Sequence, residues 1–165
     1  MLLLEIVPVE RVLEAFRCDQ KVRALGEPWP DDRPGQVTLL RNACRPVDYI
    51  LDLTWGLYSL DRDELLSKVR PVWSPPSGAY SWTLKEMFSA YTAGRYKLEE
   101  PNTVSTLAAD MRKNFRESDF VLIGYQDFPA IPEGIRLEDG HNRVTAAFLA
   151  DVIPLTVKMY IGKKT

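Results

Sequence analysis

The chain has 165 residues and carries 21 Lys and Arg against 23 Asp and Glu, with a single histidine and a formal net charge of −2. A length of this kind suits one domain with a real core, and a composition 45% hydrophobic and 27% charged is that of an ordinary soluble protein. The slightly acidic balance, with no basic run, argues against strong attraction to nucleic acid or an anionic membrane, and no apolar run approaches the roughly 18–20 residues that cross a bilayer.

Residues 2–7, LLLEIV, read as an apolar strand. No basic region precedes them and Glu5 and Glu10 interrupt the apolar start, so they do not read as a secretory signal and a cytoplasmic location is the default expectation. Pro8 ends the strand, and Val9, Val12, Leu13 and Phe16 then mark one face of a helix running towards Gly26. Cys18 and Cys44 lack metal-type spacing and are expected to be buried thiols in a reducing compartment. Glu27 to Gly35, EPWPDDRPG, is a proline-rich connector in which Trp29 can pack over the core edge or line a pocket, its large apolar area favouring packing. The apolar runs Val37 to Arg41 and Val47 to Leu53 fit either strand or buried helix, because periodicity does not decide between them.

Asp61 and Glu64 stand in capping-box positions ahead of Leu65, Leu66 and Val69, which predicts a helix that Pro71 stops. Trp73 to Trp82, with Pro75, Pro76 and Gly78, is a breaker-rich loop and the natural place for a lid. Thr83 and Glu86 repeat the capping box before Leu84, Met87, Phe88 and Tyr91, a face that ends at Gly94. The aromatics of this middle block, among them Trp55, Tyr58, Trp73, Tyr80, Trp82, Tyr91 and Tyr96, fit a core more readily than a platform for a base. Asn102 reads as the N-cap of a helix with Val104, Leu107, Ala108, Met111 and Phe115 on its apolar face and Arg112, Lys113 and Arg116 near its C-terminus. Phe120 to Tyr125 reads as a strand and Gln126 to Gly134 as a loop.

The most informative stretch is Leu137 to Ala150, LEDGHNRVTAAFLA. A strand through Ile135 and Leu137 runs into the turn Asp139-Gly140. Val144, Ala147 and Phe148 then keep the i, i+3, i+4 spacing of a helix, and a second strand, Ile153 to Ile161, follows. The first amides of a helix lack internal partners, and with the helix dipole they attract anions. Gly140 lets backbone approach a ligand closely, Arg143 can fork onto phosphate or carboxylate oxygens, and His141 can exchange a proton near neutral pH. Asp139 can hold a metal ion or orient the histidine. The plain alternative is a hairpin turn or a helix cap, with Arg143 as a solvated charge.

The segment EDGHNRVTAAFLADVIPLTVKMYIG resembles the signature corner of the ParB/sulfiredoxin-like superfamily, where a strand leads into a Gly-His/Glu-x-Arg turn, an Ala-rich helix and a short returning strand. The wording is similar to members carrying DGHHR, among them small-molecule serine kinases of that fold. The resemblance runs from about Thr103 to Ile161, a little over a third of the chain. It implies an α/β fold with a small mixed sheet: a single domain over 1–165, with 17–100 as an elaboration and 101–162 as the core motif region. It assigns Gly140, His141, Asn142 and Arg143 to the phosphates of ATP or another nucleotide. It makes Asp139 the catalytic or Mg²⁺-side carboxylate, His141 a phosphate donor, and Glu10 or Glu14, early in the chain, a candidate further carboxylate. The activity implied is transfer of phosphate to a small hydroxylated molecule, or nucleotide hydrolysis. Asn142 stands where DGHHR has its second histidine, which leaves room for the alternative of a nucleotide-gated interaction or regulatory module. The turn has no cysteine, which argues against the sulfiredoxin reaction, and a lone carboxylate in an acidic chain is poor equipment for a nuclease.

Overall fold

In the computed structural model the described residues are 1–71, 80–126 and 133–164. They form a mixed α/β fold around one six-stranded sheet of order β1-β2-β6-β4-β5-β3. The strands are β1 (Leu2–Val7), β2 (Thr54–Asp61), β3 (Val69–Arg70), β4 (Val121–Tyr125), β5 (Ile135–Asp139) and β6 (Thr156–Lys163). Pairing is antiparallel for β1 with β2, β2 with β6 and β4 with β5, and parallel for β4 with β6 and β3 with β5.

Alternation along the strands divides the apolar residues between two cores. Ile123 and Tyr125 of β4 join one core with Trp55 and Leu57 of β2, while Leu122 joins the other with Met159 and Ile161 of β6 and Ile135 and Leu137 of β5. The first core is closed by α1 (Val9–Ala15), α2 (Gln20–Ala24), α3 (Arg33–Asn42) and α4 (Val47–Leu51), which contribute Leu13, Val22, Leu40 and Ile50. The second is closed by α5 (Arg62–Lys68), α6 (Leu84–Thr92), α7 (Pro101–Asn114) and α8 (His141–Ala150), through Leu65, Met87, Val104 and Val144. Helices therefore lie on both faces of the sheet, the arrangement that hides a sheet whose central strands are apolar on both sides.

Both capping boxes are present, Asp61 with Glu64 opening α5 and Thr83 with Glu86 opening α6. Other expectations need correction. The helix from Val9 breaks at Cys18, because the Asp19 carboxylate accepts the Lys21 and Val22 amides at 2.7 and 3.3 Å and starts a new helix, α2. The connector before Gly35 ends sooner than expected, since Asp32 caps α3 and Pro34 sits in its first turn. Both undecided apolar runs are helical. Strand β2, inside the sheet, was not anticipated, because TWGLYSLD contains neither valine nor isoleucine and sits beside a segment that reads equally as helix.

At α7 the N-cap is Glu100 rather than Asn102, because Pro101 takes the first helical position, where its missing N–H costs nothing. Strand β6 begins at Thr156 rather than Ile153: Asp151 turns left-handed, the Val152 amide bonds back to Ala147, and Pro154 cannot donate to a ladder. Cys18 and Cys44 are free and exposed, not buried. Trp55, Tyr58 and Tyr96 are core residues, while the expected lid at 73–82 falls mostly, and the loop at 126–134 largely, outside the described residues. No helix among the described residues is long and apolar enough to cross a membrane.

Candidate functional site

The corner at the end of β5 is a strand–turn–helix junction. Asp139 is the last residue of β5, Gly140 turns with φ 105°, and α8 starts at His141. A side chain at 140 would be strained by that φ, and its Cβ would collide with Cδ2 of the buried Leu122. The Gly140 carbonyl accepts the Val144 amide at 2.9 Å, but glycine has no side chain with which to cap the first-turn amides. Val144, Ala146 and Ala147 are fully buried and seat α8 on the core, so the direction of its first turn is set by packing.

That turn lines a cleft of ≈ 600 Å³. Leu137 to Arg143 form one wall, and Cys18 to Lys21, Arg23 and Cys44 to Pro46 form the opposite one, with Tyr80, Glu100 and Leu107 completing the rim. Cationic groups of Lys21, Arg23, Arg45 and Arg143 share this lining with the carboxylates of Asp19, Glu100, Glu138 and Asp139.

Arg45 joins the two walls. Cys44 adopts φ 55° after α3, and the Arg45 amide returns to the Leu40 carbonyl at 2.9 Å, which closes the helix and aims the next side chain at the sheet. The guanidinium pairs with the Asp19 carboxylate, whose side chain is fully buried, reaches Glu138 Oε1 at 3.2 Å, and comes to 4.0 Å from Asp139 Oδ1. One cation thus compensates a cluster of carboxylates at the floor of the cleft. Burial pushes the Glu138 carboxyl up, and Asp139 adds to this, while Arg45 works against it. Burial, then Arg45 and Lys21, push the His141 imidazole down to about 3, so it is neutral at physiological pH.

Of the residues expected at the site, Asp139, Gly140, His141, Asn142 and Arg143 line the cleft together. Arg143 Nη1 donates to the Val121 carbonyl of β4, which holds the guanidinium at the cleft wall. Asn142 Nδ2 donates to Gln20 Oε1 at 2.9 Å and to Glu100 Oε2 at 2.6 Å, tying α8 to α2 and to the cap of α7. Among the described residues, Asn142 Oδ1 and Arg45 Nε are buried with no hydrogen-bond partner. Glu10 and Glu14 do not line the cleft: Glu10 pairs with Arg33 at 2.7 Å, and Glu14 accepts the Trp29 indole N–H at 2.7 Å. Asp19, Arg45 and Glu138 were missed. Asp19 had a local signal as an N-cap candidate and Glu138 lies beside the motif, but nothing around Arg45 marks it, since its partners lie 26 and 93 residues away.

Among the described residues no three His, Cys, Asp or Glu side chains come together to hold a metal ion. Asp139 therefore suits Mg²⁺ only as one ligand of an ion that brings phosphate oxygens with it, the usual way in which Mg²⁺ is held with one or two carboxylates. Compared with known proteins, the chain matches no family model, no curated protein and no solved structure.

Proposed function

We propose that the cleft takes the phosphates of a nucleotide and that the chain is a nucleotide-dependent enzyme of ParB/sulfiredoxin-like type, either a phosphotransferase acting on a small hydroxylated molecule or a nucleotide hydrolase. The observation that carries this reading is the uncapped first turn of α8, opening at Gly140 into a cleft that also presents Lys21, Arg23 and Arg143. Phosphoryl transfer needs little covalent help from the protein and depends on positioning and charge neutralisation. The turn amides and Arg143 hold the phosphates, and neutral His141 acts as a hydrogen-bond donor rather than a second cation. Asp139 is either the base or the metal-side carboxylate: as base it accepts the proton of the attacking hydroxyl or water as the new oxygen–phosphorus bond forms, the bond from the terminal phosphorus to the bridging oxygen breaks and the nucleoside diphosphate leaves. In the other role Asp139 would be a ligand of Mg²⁺ bound with the nucleotide, which would supply further neutralisation of the phosphate charge.

Calorimetry with ATP, ADP, CTP and GTP in the presence of Mg²⁺ tests the first step, and absence of heat with all four would sink the reading. Arg143→Ala is expected to abolish nucleotide binding while the chain stays folded, with a loss of about 1–2 kcal/mol from the bond to Val121. Asp139→Asn should spare affinity far more than turnover, and an equal loss of both would make Asp139 a structural residue.

The second reading, a nucleotide-gated interaction module, is favoured by the Asn142 strap. Because its amide bridges α2 and the cap of α7, a ligand that displaces it is felt on both faces of the sheet. Nucleotide binding without phosphate release or transfer would select this reading.

A further inference from the structure

Of the middle-block aromatics, the fold separates Tyr80 from the rest. Trp55, Tyr58 and Tyr96 are buried in the cores, and Trp82 and Tyr91 pack against the second one. Tyr80 is only partly buried and lines the cleft that contains the α8 turn. Its backbone takes φ 61°, a left-handed conformation that bulky residues rarely adopt. Three bonds hold it there: the Tyr80 amide donates to the Pro71 carbonyl at 3.2 Å, and the Arg70 guanidinium donates to the Tyr80 and Ser81 carbonyls at 3.4 and 2.7 Å. Backbone outliers fixed in this way cluster at ligand sites, because the surrounding bonds maintain a conformation that the residue itself disfavours.

The ring is also backed. The Arg136 guanidinium lies over it, 5.2 Å from the centroid, and the same guanidinium stands 5.6 Å from the Tyr125 ring and 6.0 Å from the Tyr49 ring. A cation braced against two further rings thus supports Tyr80 from behind. Arg136 precedes Asp139 by three positions on β5, so about 10 Å of strand separates this aromatic end of the cleft from the glycine turn. The base and the terminal phosphate of a nucleotide are separated by a distance of that order.

We propose that Tyr80 is the wall on which the base of the nucleotide stacks while its phosphates rest at the α8 turn. The inference rests on the nucleotide reading of the cleft and adds the end that holds the base. It selects a nucleoside polyphosphate over a bare polyphosphate or a sugar phosphate. A ring face carries no pattern of donors and acceptors, so stacking of this kind accepts any base, with two-ring purines covering more of Tyr80 than pyrimidines do.

Calorimetry with ATP and with ribose 5-triphosphate, which keeps the sugar and phosphates but has no base, tests this. The parent chain should bind ATP more tightly by about 5–150-fold, the worth of one base–aromatic stack. Tyr80→Ala should erase that advantage and leave the affinity for ribose 5-triphosphate nearly where it was. Tyr80→Phe should restore the preference, whereas Tyr80→Leu, with bulk but no ring, should not; this pair decides the matter should the alanine variant fail to fold. Equal affinity of the parent for the two ligands, or an ATP preference that survives Tyr80→Leu, overturns the inference and leaves the phosphate site standing. Equal weakening of both ligands by Tyr80→Ala and Tyr80→Leu makes Tyr80 a support of the cleft wall and also overturns it. Binding of neither ligand by the parent removes the phosphate site itself and the base site with it.

Discussion

The two walls of the cleft are built on different terms. The wall from Leu137 to Arg143 is continuous in sequence: one strand end, one glycine and one helix turn bring five expected residues to the same place. The opposite wall is assembled from the cap of α2 and the end of α3, and its two principal groups, Asp19 and Arg45, are 26 residues apart. The first wall carries the uncapped helix turn and Arg143 on which the proposed phosphate site rests. The second sets the electrostatic conditions under which they work, because Arg45 compensates Asp19 and Glu138 and helps keep His141 neutral. A local motif can carry the recognition elements of a site while the charge balance that tunes them comes from elsewhere in the fold.

This division can be broken most severely at Arg45. Arg45→Ala leaves the buried Asp19 carboxylate without its cation and is expected to cost about 3–5 kcal/mol in urea unfolding, although the motif itself is untouched. If the double variant Asp19→Asn/Arg45→Met loses as much as the single one, the pair is not the unit holding this wall together.

Gly140 probes the other wall. Gly140→Ala combines a left-handed φ with a contact on Leu122 and is expected to cost about 2–4 kcal/mol. Gly26→Ala, at φ 69° with nothing within 4 Å of the new carbon, should cost only about 1 kcal/mol by the same measurement. Equal losses would mean that backbone strain alone, and not the close approach to β4, accounts for the effect.

The smallest effect sharpens the link between the walls. The unfolded pKa of a histidine is near 6.5 and that of His141 in the folded chain is about 3, so the unfolded chain binds the proton more readily between these values. Stability therefore falls as pH drops from about 6.5 towards 3, and His141→Gln should remove on the order of 1–2 kcal/mol of that dependence once the imidazole's partial exposure is discounted. Glu138 acts with the opposite sign. Its raised pKa contributes stability that is present below the ordinary glutamate value and lost as pH rises through the folded one, so Glu138→Gln should tilt the profile the other way. Thermal unfolding from pH 3 to 8 separates the two contributions.

Much of the local structure was legible before any coordinates, and for identifiable reasons. The capping boxes at Asp61 and Thr83 and the apolar spacing of Val144 and Ala147 are short-range signals, whose partners lie within one or two helical turns. Strand β1 was legible because five of its six residues are apolar and Pro8 closes the run.

The residues alone determined that an α/β chain carries a glycine turn opening a helix beside Asp139, His141 and Arg143, since these features depend on neighbours a few positions away. Only the tertiary structure decided that β2 lies inside the sheet, that Glu14 bonds Trp29 instead of entering the cleft, and that Arg45 reaches Asp19 and Glu138. Those outcomes depend on which distant segments share a core and which charges are buried together. Spacing along a chain does not record such proximity, because burial and Coulomb interaction act through space.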